Sequence, residues 1–226
     1  MDARILNLPL TPYEKVYDLQ RAAVAARISG RLAAELVILV EHPSVFTLGR
    51  RGGLKNLTVD PAFVAHKGIR TLPTERGGSI TYHGPGQLLA YPIFNISAAR
   101  ISVVDYVAAL ETAMVRTAGH WGVAAKGNPA IRGAWVGRRK LGSIGITVRQ
   151  GVAFHGLALN VNTDLTPFAW IDPCGIKDCE ITSLTREVGR KVSMHQARDQ
   201  MQRHLIGLLD LDCQEVDIDF MHDLQN

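Results

Sequence analysis

At 226 residues, with 46% hydrophobic and 20% charged side chains, the chain has enough apolar content for a full core and too much for a disordered polymer, so one domain over 1–226 is expected, with a small C-terminal subdomain from about residue 185 left open. A formal net charge of +4 favours acidic partners, yet no recognition-helix motif and no dense Lys/Arg tract interleaved with aromatics is present, so nucleic acid is not expected. No apolar run nears the roughly 18 residues that cross a bilayer, and the N-terminus lacks the charged-then-apolar pattern of a secretory signal; a cytoplasmic chain with no membrane role follows as the expectation.

Arg4 to Leu8 predicts a first strand. Thr11-Pro12-Tyr13-Glu14 then reads as a helix start with a cap, a proline at the first helical position and an acid in the first turn, opening a helix to about Gly30 with Val16, Leu19, Ala23 and Ala26 on one side. Glu35 to Val40 is nearly all apolar, which suits a strand buried on both faces, and Glu41-His42-Pro43 stops it. Val45 to Gly49 predicts another strand, followed by the basic loop Arg50-Arg51-Gly52-Gly53, a solvated turn or a contact for an acidic partner. A short helix is expected over 58–67, after which 69–72 leads into the next stretch.

The most informative stretch is Arg76-Gly77-Gly78-Ser79-Ile80-Thr81-Tyr82-His83-Gly84-Pro85-Gly86-Gln87. Its glycines remove Cβ atoms on both sides of a polar strand, where the backbone bends sharply or a ligand comes close. Leu88 to Phe94 continues as a strand with Pro92, hence an edge or an irregularity. Ser102 caps a second helix whose Val107, Leu110, Met114 and Ala118 are expected in the core. Strands over 131–136, 140–148 and 152–161, joined by tight glycine turns, predict consecutive antiparallel hairpins and thus an α/β protein of the α+β type, a mixed sheet flanked by helices. A loop over 162–178 precedes a last helix opened by Ser193 along Ala197, Met201, Leu205 and Leu208, and the acidic end from Asp212 is one strand or a tail.

Two residues in this second half are candidates for chemistry, each with a plainer alternative: a small buried hydrophobe for Cys174 and a solvated charge for Lys140. Three cysteines, Cys174, Cys179 and Cys213, are too few and odd in number for a disulfide framework. Cys174 sits in Asp172-Pro173-Cys174-Gly175, on a turn where a thiol is open to backbone or side-chain help. Lys140 begins Lys140-Leu141-Gly142-Ser143-Ile144-Gly145; a lysine at a strand start is ordinarily a solvated charge. A thiol nucleophile has to be a thiolate, and an ammonium about 4 Å away contributes roughly 4 kcal/mol of gross attraction at an effective dielectric near 20, against about 1.4 kcal/mol per pKa unit. Desolvation returns part of this. His83 and His155 keep a papain-like arrangement open, with either as base toward Cys174. The Cys174 and Cys179 spacing has no second matching pair, so no metal site is expected.

The stretch from Arg76, the Lys140 segment, Phe154-His155-Gly156-Leu157-Ala158-Leu159-Asn160 and Cys174-Gly175 followed by Thr182-Ser183-Leu184 together resemble, in the same order, the lipoyl(octanoyl) transferases. Alanine is common in that family where this chain has Gly142, a small-for-small departure. The resemblance implies the fold shared by biotin and lipoate protein ligases and an acyltransferase that moves octanoyl from acyl carrier protein to a lipoyl-domain lysine, in lipoate biosynthesis, with no cofactor. It implies Cys174 as acyl acceptor and Lys140 as its dyad partner, with Arg76, Gly77, Gly78, Ser79, Ile80, Thr81, Tyr82, His83, Ser143, Ile144, Gly145, His155, Gly156, Leu157 and Ala158 along the acyl site. It implies as acceptors the lipoyl domains of 2-oxoacid dehydrogenase complexes and the glycine cleavage H protein, and a monomer is expected. An ATP-dependent lipoate or octanoate ligase and a non-catalytic lipoyl-domain binding module are the rival readings.

Overall fold

The computed structural model describes residues 1–172 and 179–220. The chain opens with β1 (Asp2–Leu10), α1 (Tyr13–Ser29), β2 (Glu35–Glu41) and β3 (Val45–Leu48), then a 3-10 turn at Leu54–Asn56, α2 (Pro61–His66), β4 (Arg70–Pro73) and β5 (Ile80–His83). It continues with β6 (Gln87–Asn95), α3 (Val103–Gly119), β7 (Lys126–Gly127), β8 (Gly133–Val136), β9 (Arg139–Arg149) and β10 (Val152–Asn160). A second 3-10 turn at Thr166–Trp170 precedes α4 (Leu184–Val188), α5 (Met194–Leu209) and β11 (Asp212–Val216).

Among the described residues, eight strands make one mixed sheet in the order β11-β1-β2-β6-β10-β9-β8-β7. β1 runs parallel to both β2 and β11, and every other neighbouring pair is antiparallel. The apolar run of β2 is buried on both sides because strand side chains alternate. Leu36, Ile38 and Val40 meet Val16 and Ala23 of α1, while Val37 and Leu39 meet the opposite layer of α3 and α5 around Leu110, Met114 and Leu205. A smaller sheet, β4-β3-β5, stands apart with its own core of Phe46, Val64, Ile80, Tyr82 and Phe168.

Local chemistry accounts for most element ends. Ser102 and Ser193 accept hydrogen bonds from the backbone N–H of Asp105 and Gln196, capping α3 and α5. Thr11 does not cap α1; its hydroxyl donates to the Pro9 carbonyl at 2.8 Å, and Pro12 takes the cap position. The helix expected over 58–67 is confined to α2, since Pro61 disfavours a helical residue before it and Asp60 caps from there. Val107 is only half-buried, and Leu209 takes the fully buried place expected of Leu208. The acidic end forms a strand, with β11 in register against β1 from Asp2 opposite Asp212. Residues after 185 thus extend the main sheet, and Ala197, Met201 and Leu205 share the core of α3.

Candidate active site

The small sheet leans on β9 and β10 through the segment that begins at Arg76. The Arg76 guanidinium donates to the Thr47 hydroxyl at 2.9 and 3.1 Å, to the Thr47 carbonyl at 2.6 Å and to the Gly77 carbonyl at 3.0 Å. Gly77 N–H donates to Ile146 of β9 at 2.9 Å. Contact is so close that a Cβ on Gly145 would lie 3.1 Å from Arg76 Cδ and 3.2 Å from the Gly77 carbonyl oxygen. The glycines here let the loop lie flat on β9.

Between the loop and the two strands lies a pocket, partly open to solvent. Arg76, Gly77, Gly78, Thr81 and His83 line one side; Ser143, Ile144 and Gly145 of β9 with His155, Gly156, Leu157 and Ala158 of β10 line the other. Tyr13, Leu89 and Tyr91 complete it. Three residues of the signature lie elsewhere. Ile80 and Tyr82 alternate with Thr81 and His83 along β5 and therefore point into the small sheet's own core. Ser79 accepts a hydrogen bond from the Asn56 side chain.

Buried rings surround the pocket. His83 Nδ1–H donates to Gln87 Oε1 at 2.7 Å, Gln87 Nε2 donates to Asn160 Oδ1 at 2.8 Å, and Asn160 Nδ2 donates to the Thr182 carbonyl at 3.0 Å. His42 bridges the Thr11 carbonyl at 2.6 Å and the Tyr91 hydroxyl at 2.9 Å, and the Tyr13 ring stacks on His83 at 5.8 Å. His155 stands opposite Pro92, which has no N–H, and the ladder between β10 and β6 skips this point. Its backbone adopts φ 57°, its N–H turns to Gln20 of α1 at 2.9 Å, and its ring lies between Tyr17 and Phe154 with neither nitrogen hydrogen-bonded to a described residue. Burial pushes His42 down to about 4 and His83 and His155 to about 3, and it raises Tyr13 and Tyr91 above the ordinary phenol range. At neutral pH these five rings carry no charge.

A second, wider pocket shares Gly77, Gly78, Ile144 and Gly145 with the first and is lined further by Arg51, Val107, Ile131, Arg132 and Lys140. Lys140 is 2% exposed, and its ammonium sits 5.1 Å from the centroid of the Trp135 ring. Its backbone pairs with the chain that follows Cys174: Lys140 N–H donates to the Glu180 carbonyl at 2.7 Å, and Thr182 N–H donates to the Lys140 carbonyl at 2.9 Å. Cys174 itself lies outside the described residues. The flank before it is held too, since Asp172 N–H donates to the Asn56 carbonyl at 2.8 Å and Ile171 bridges to Leu57. Asn56 thereby joins Ser79 of the signature to the approach to Cys174.

Tyr13, His42, Leu89, Tyr91, Arg51, Ile131 and Arg132 are absent from the sequence-based site. A tyrosine and a histidine amid apolar strands, Tyr91 and His42, were the available signal, because such groups need buried partners.

Residues 12–206 match the model of the lipoyl protein ligase A/B catalytic domain. An octanoyltransferase of Desulfotalea psychrophila is 48% identical over 187 residues, 82% of this chain and 84% of that protein. This chain belongs to the octanoyltransferases of that family. The octanoyltransferase architecture is shared more widely: a bi-partite lipoate protein ligase from Thermoplasma acidophilum superposes with a TM-score of 0.76 at 16% identity, covering 99% of this chain and 90% of that one. A biotin protein ligase from Aquifex aeolicus, in complex with biotin and ATP, gives 0.56 at 10% identity over 93% and 71%. The expected biotin and lipoate ligase fold is therefore the observed one. Among the described residues of this octanoyltransferase no helix is long and apolar enough to cross a membrane, and no three or more His, Cys, Asp and Glu side chains converge as a metal site.

Proposed function

We propose that this octanoyltransferase works through two acyl transfers at Cys174, with Lys140 as the group that holds the thiolate and moves the protons. In the first step the Cys174 thiolate attacks the thioester carbonyl of an octanoyl-acyl carrier protein; the C–S bond to the carrier breaks, and the departing thiolate takes a proton from the Lys140 ammonium. In the second, the ε-amine of a lipoyl-domain lysine attacks the octanoyl-cysteine thioester, the amide forms, Cys174 leaves as a thiolate, and the amine's extra proton returns to Lys140. A thioester is already activated relative to an amide, so neither step calls for ATP or a metal.

The observation that carries this reading is the backbone pairing of Lys140 with Glu180 and Thr182, beside the pocket that the signature walls. It ties the lysine's strand to the chain returning from Cys174. The inner pocket, whose surrounding rings are uncharged and whose Arg76 guanidinium is bonded back to Thr47 and Gly77, suits an apolar tail: seven methylene-scale groups at about 0.8 kcal/mol each contribute about 5 to 6 kcal/mol on burial. The acceptors that fit are lipoyl domains of 2-oxoacid dehydrogenase complexes and the glycine cleavage H protein, served by a monomeric, cytoplasmic enzyme.

Intact-protein mass spectrometry after mixing with octanoyl-acyl carrier protein tests the scheme. Wild type is expected to gain one octanoyl group that a thiol reagent removes; Cys174→Ser should gain none, and Lys140→Ala should gain it slowly. An unmodified wild type that instead activates free octanoate with ATP would refute it.

A further inference from the structure

We propose that Trp135 is a positioning residue for Lys140, and that Glu111 locks Trp135 in place through the loop before β8. The inference rests on the reading of Lys140 given above.

β8 and β9 pair Trp135 directly opposite Lys140, so both side chains leave the same face of the sheet as cross-strand neighbours. The register shifts between Ala134 and Trp135, an irregularity of the kind that re-aims a side chain. At 5.1 Å from the ring centroid the ammonium is within the roughly 6 Å reach of a cation–π contact, and Trp135 is only 9% exposed. Lysine is a point charge on a flexible four-carbon stem. A ring face fixed beneath it selects one of its many rotamers.

The ring is itself held. Trp135 Nε1–H donates to the Ile131 carbonyl at 2.9 Å, which sets the indole's rotation. Ile131 belongs to a loop fastened to α3: the Glu111 carboxylate accepts from Gly133 N–H at 2.7 Å and from Arg132 Nη1 at 2.8 Å, and it is almost fully buried. The loop presses on the lysine as well. Gly133 has φ 138°, and a Cβ there would lie 2.3 Å from the Gly142 carbonyl oxygen and 3.2 Å from Lys140 Cε. One carboxylate on α3 thus fixes the loop, the loop fixes the indole, and the indole fixes the ammonium.

Steady-state octanoyl transfer from octanoyl-acyl carrier protein to an apo lipoyl domain tests this, together with the NMR resonances of the Lys140 ε-CH2 protons. Trp135→Leu is expected to lower kcat about 30-fold, the equivalent of about 2 kcal/mol for a desolvated cation–π contact, with KM changed less than about twofold. Trp135→Phe should restore most of the rate, and Trp135→Leu combined with Lys140→Ala should be no slower than Lys140→Ala alone. Equal losses in the Phe and Leu variants, or a double variant that multiplies the two losses, would overturn the inference. The ε-CH2 protons should be shifted upfield by the ring in wild type and return in Trp135→Leu whether or not octanoyl is transferred; unshifted protons would remove the contact itself. If the shift is present while Lys140→Ala transfers at the wild-type rate, the catalytic reading of Lys140 is what fails, and the positioning role falls with it.

Discussion

Acidification should destabilise this protein steeply, and the cause is the ring cluster behind the pocket. An exposed histidine titrates near 6.5, but burial holds His42 at about 4 and His83 and His155 at about 3. Between those values the unfolded chain binds a proton that the native chain refuses, so the stability these groups confer is complete above about pH 6.5 and is lost as the pH falls toward 3 to 4. Integrated from pH 7 to pH 5, each histidine removes about 1.9 kcal/mol, and the three together about 5 to 6 kcal/mol. A domain typically has only about 5 to 15 kcal/mol in total. Urea unfolding followed by far-UV circular dichroism at pH 7, 6 and 5 measures the loss directly. His155→Asn is the matched control: asparagine tolerates the positive φ at this position and does not titrate, so the drop between pH 7 and pH 5 should shrink by about 2 kcal/mol. Stability at pH 5 within about 1 kcal/mol of that at pH 7, or an unchanged slope in His155→Asn, would refute the reasoning.

Replacing Arg76 should cost both fold and site. Arg76→Met leaves the Thr47 and Gly77 carbonyls without their donor, at about 1 to 3 kcal/mol for each buried unmet acceptor, and Arg76→Lys should recover less than half because an ammonium cannot span the fork; the urea midpoint reads both. Ala158→Leu puts three more carbons into the inner pocket. Excluding two methylenes at about 0.8 kcal/mol each should shift the ratio of kcat/KM for octanoyl over hexanoyl donors about 15-fold toward hexanoyl, and an unchanged ratio would place the tail elsewhere.

Elements whose signal is local were legible in the sequence. The glycine turns and alternation over 131–161 specify the β8-β9-β10 meander, and the apolar run of β2 announces a strand covered on both faces. Serines at the starts of α3 and α5 mark their ends without reference to anything distant. What was not legible depends on partners far apart in the chain. Tyr13 reads as the first turn of a helix, and only packing brings it against His83. Ile80 and Tyr82 belong to the signature yet face away from the pocket, because which side of β5 is the inner one depends on how the small sheet seats against β9. Likewise Val107 has the spacing of a core residue but borders the outer pocket, since the loop of Ile131 and Arg132 leaves that part of α3 open.

The distribution of charge narrows the choice of proton carrier. The titratable side chains among the described residues lining the two pockets are Tyr13, Arg76, His83, Tyr91 and His155 in the inner one and Arg51, Arg132 and Lys140 in the outer one. A general base works best with a pKa near the working pH. Histidines near 3 are weak bases at neutrality, and His83 already has Gln87 on Nδ1. The two tyrosines are pushed further from ionisation, and an arginine does not give up its proton in a protein. A papain-like pairing of either histidine with Cys174 is therefore disfavoured on energetic grounds. On the role proposed above for Lys140, the proton carrier stands where the inner chamber, whose histidine and tyrosine rings are uncharged at neutral pH, meets a rim lined by Arg51 and Arg132.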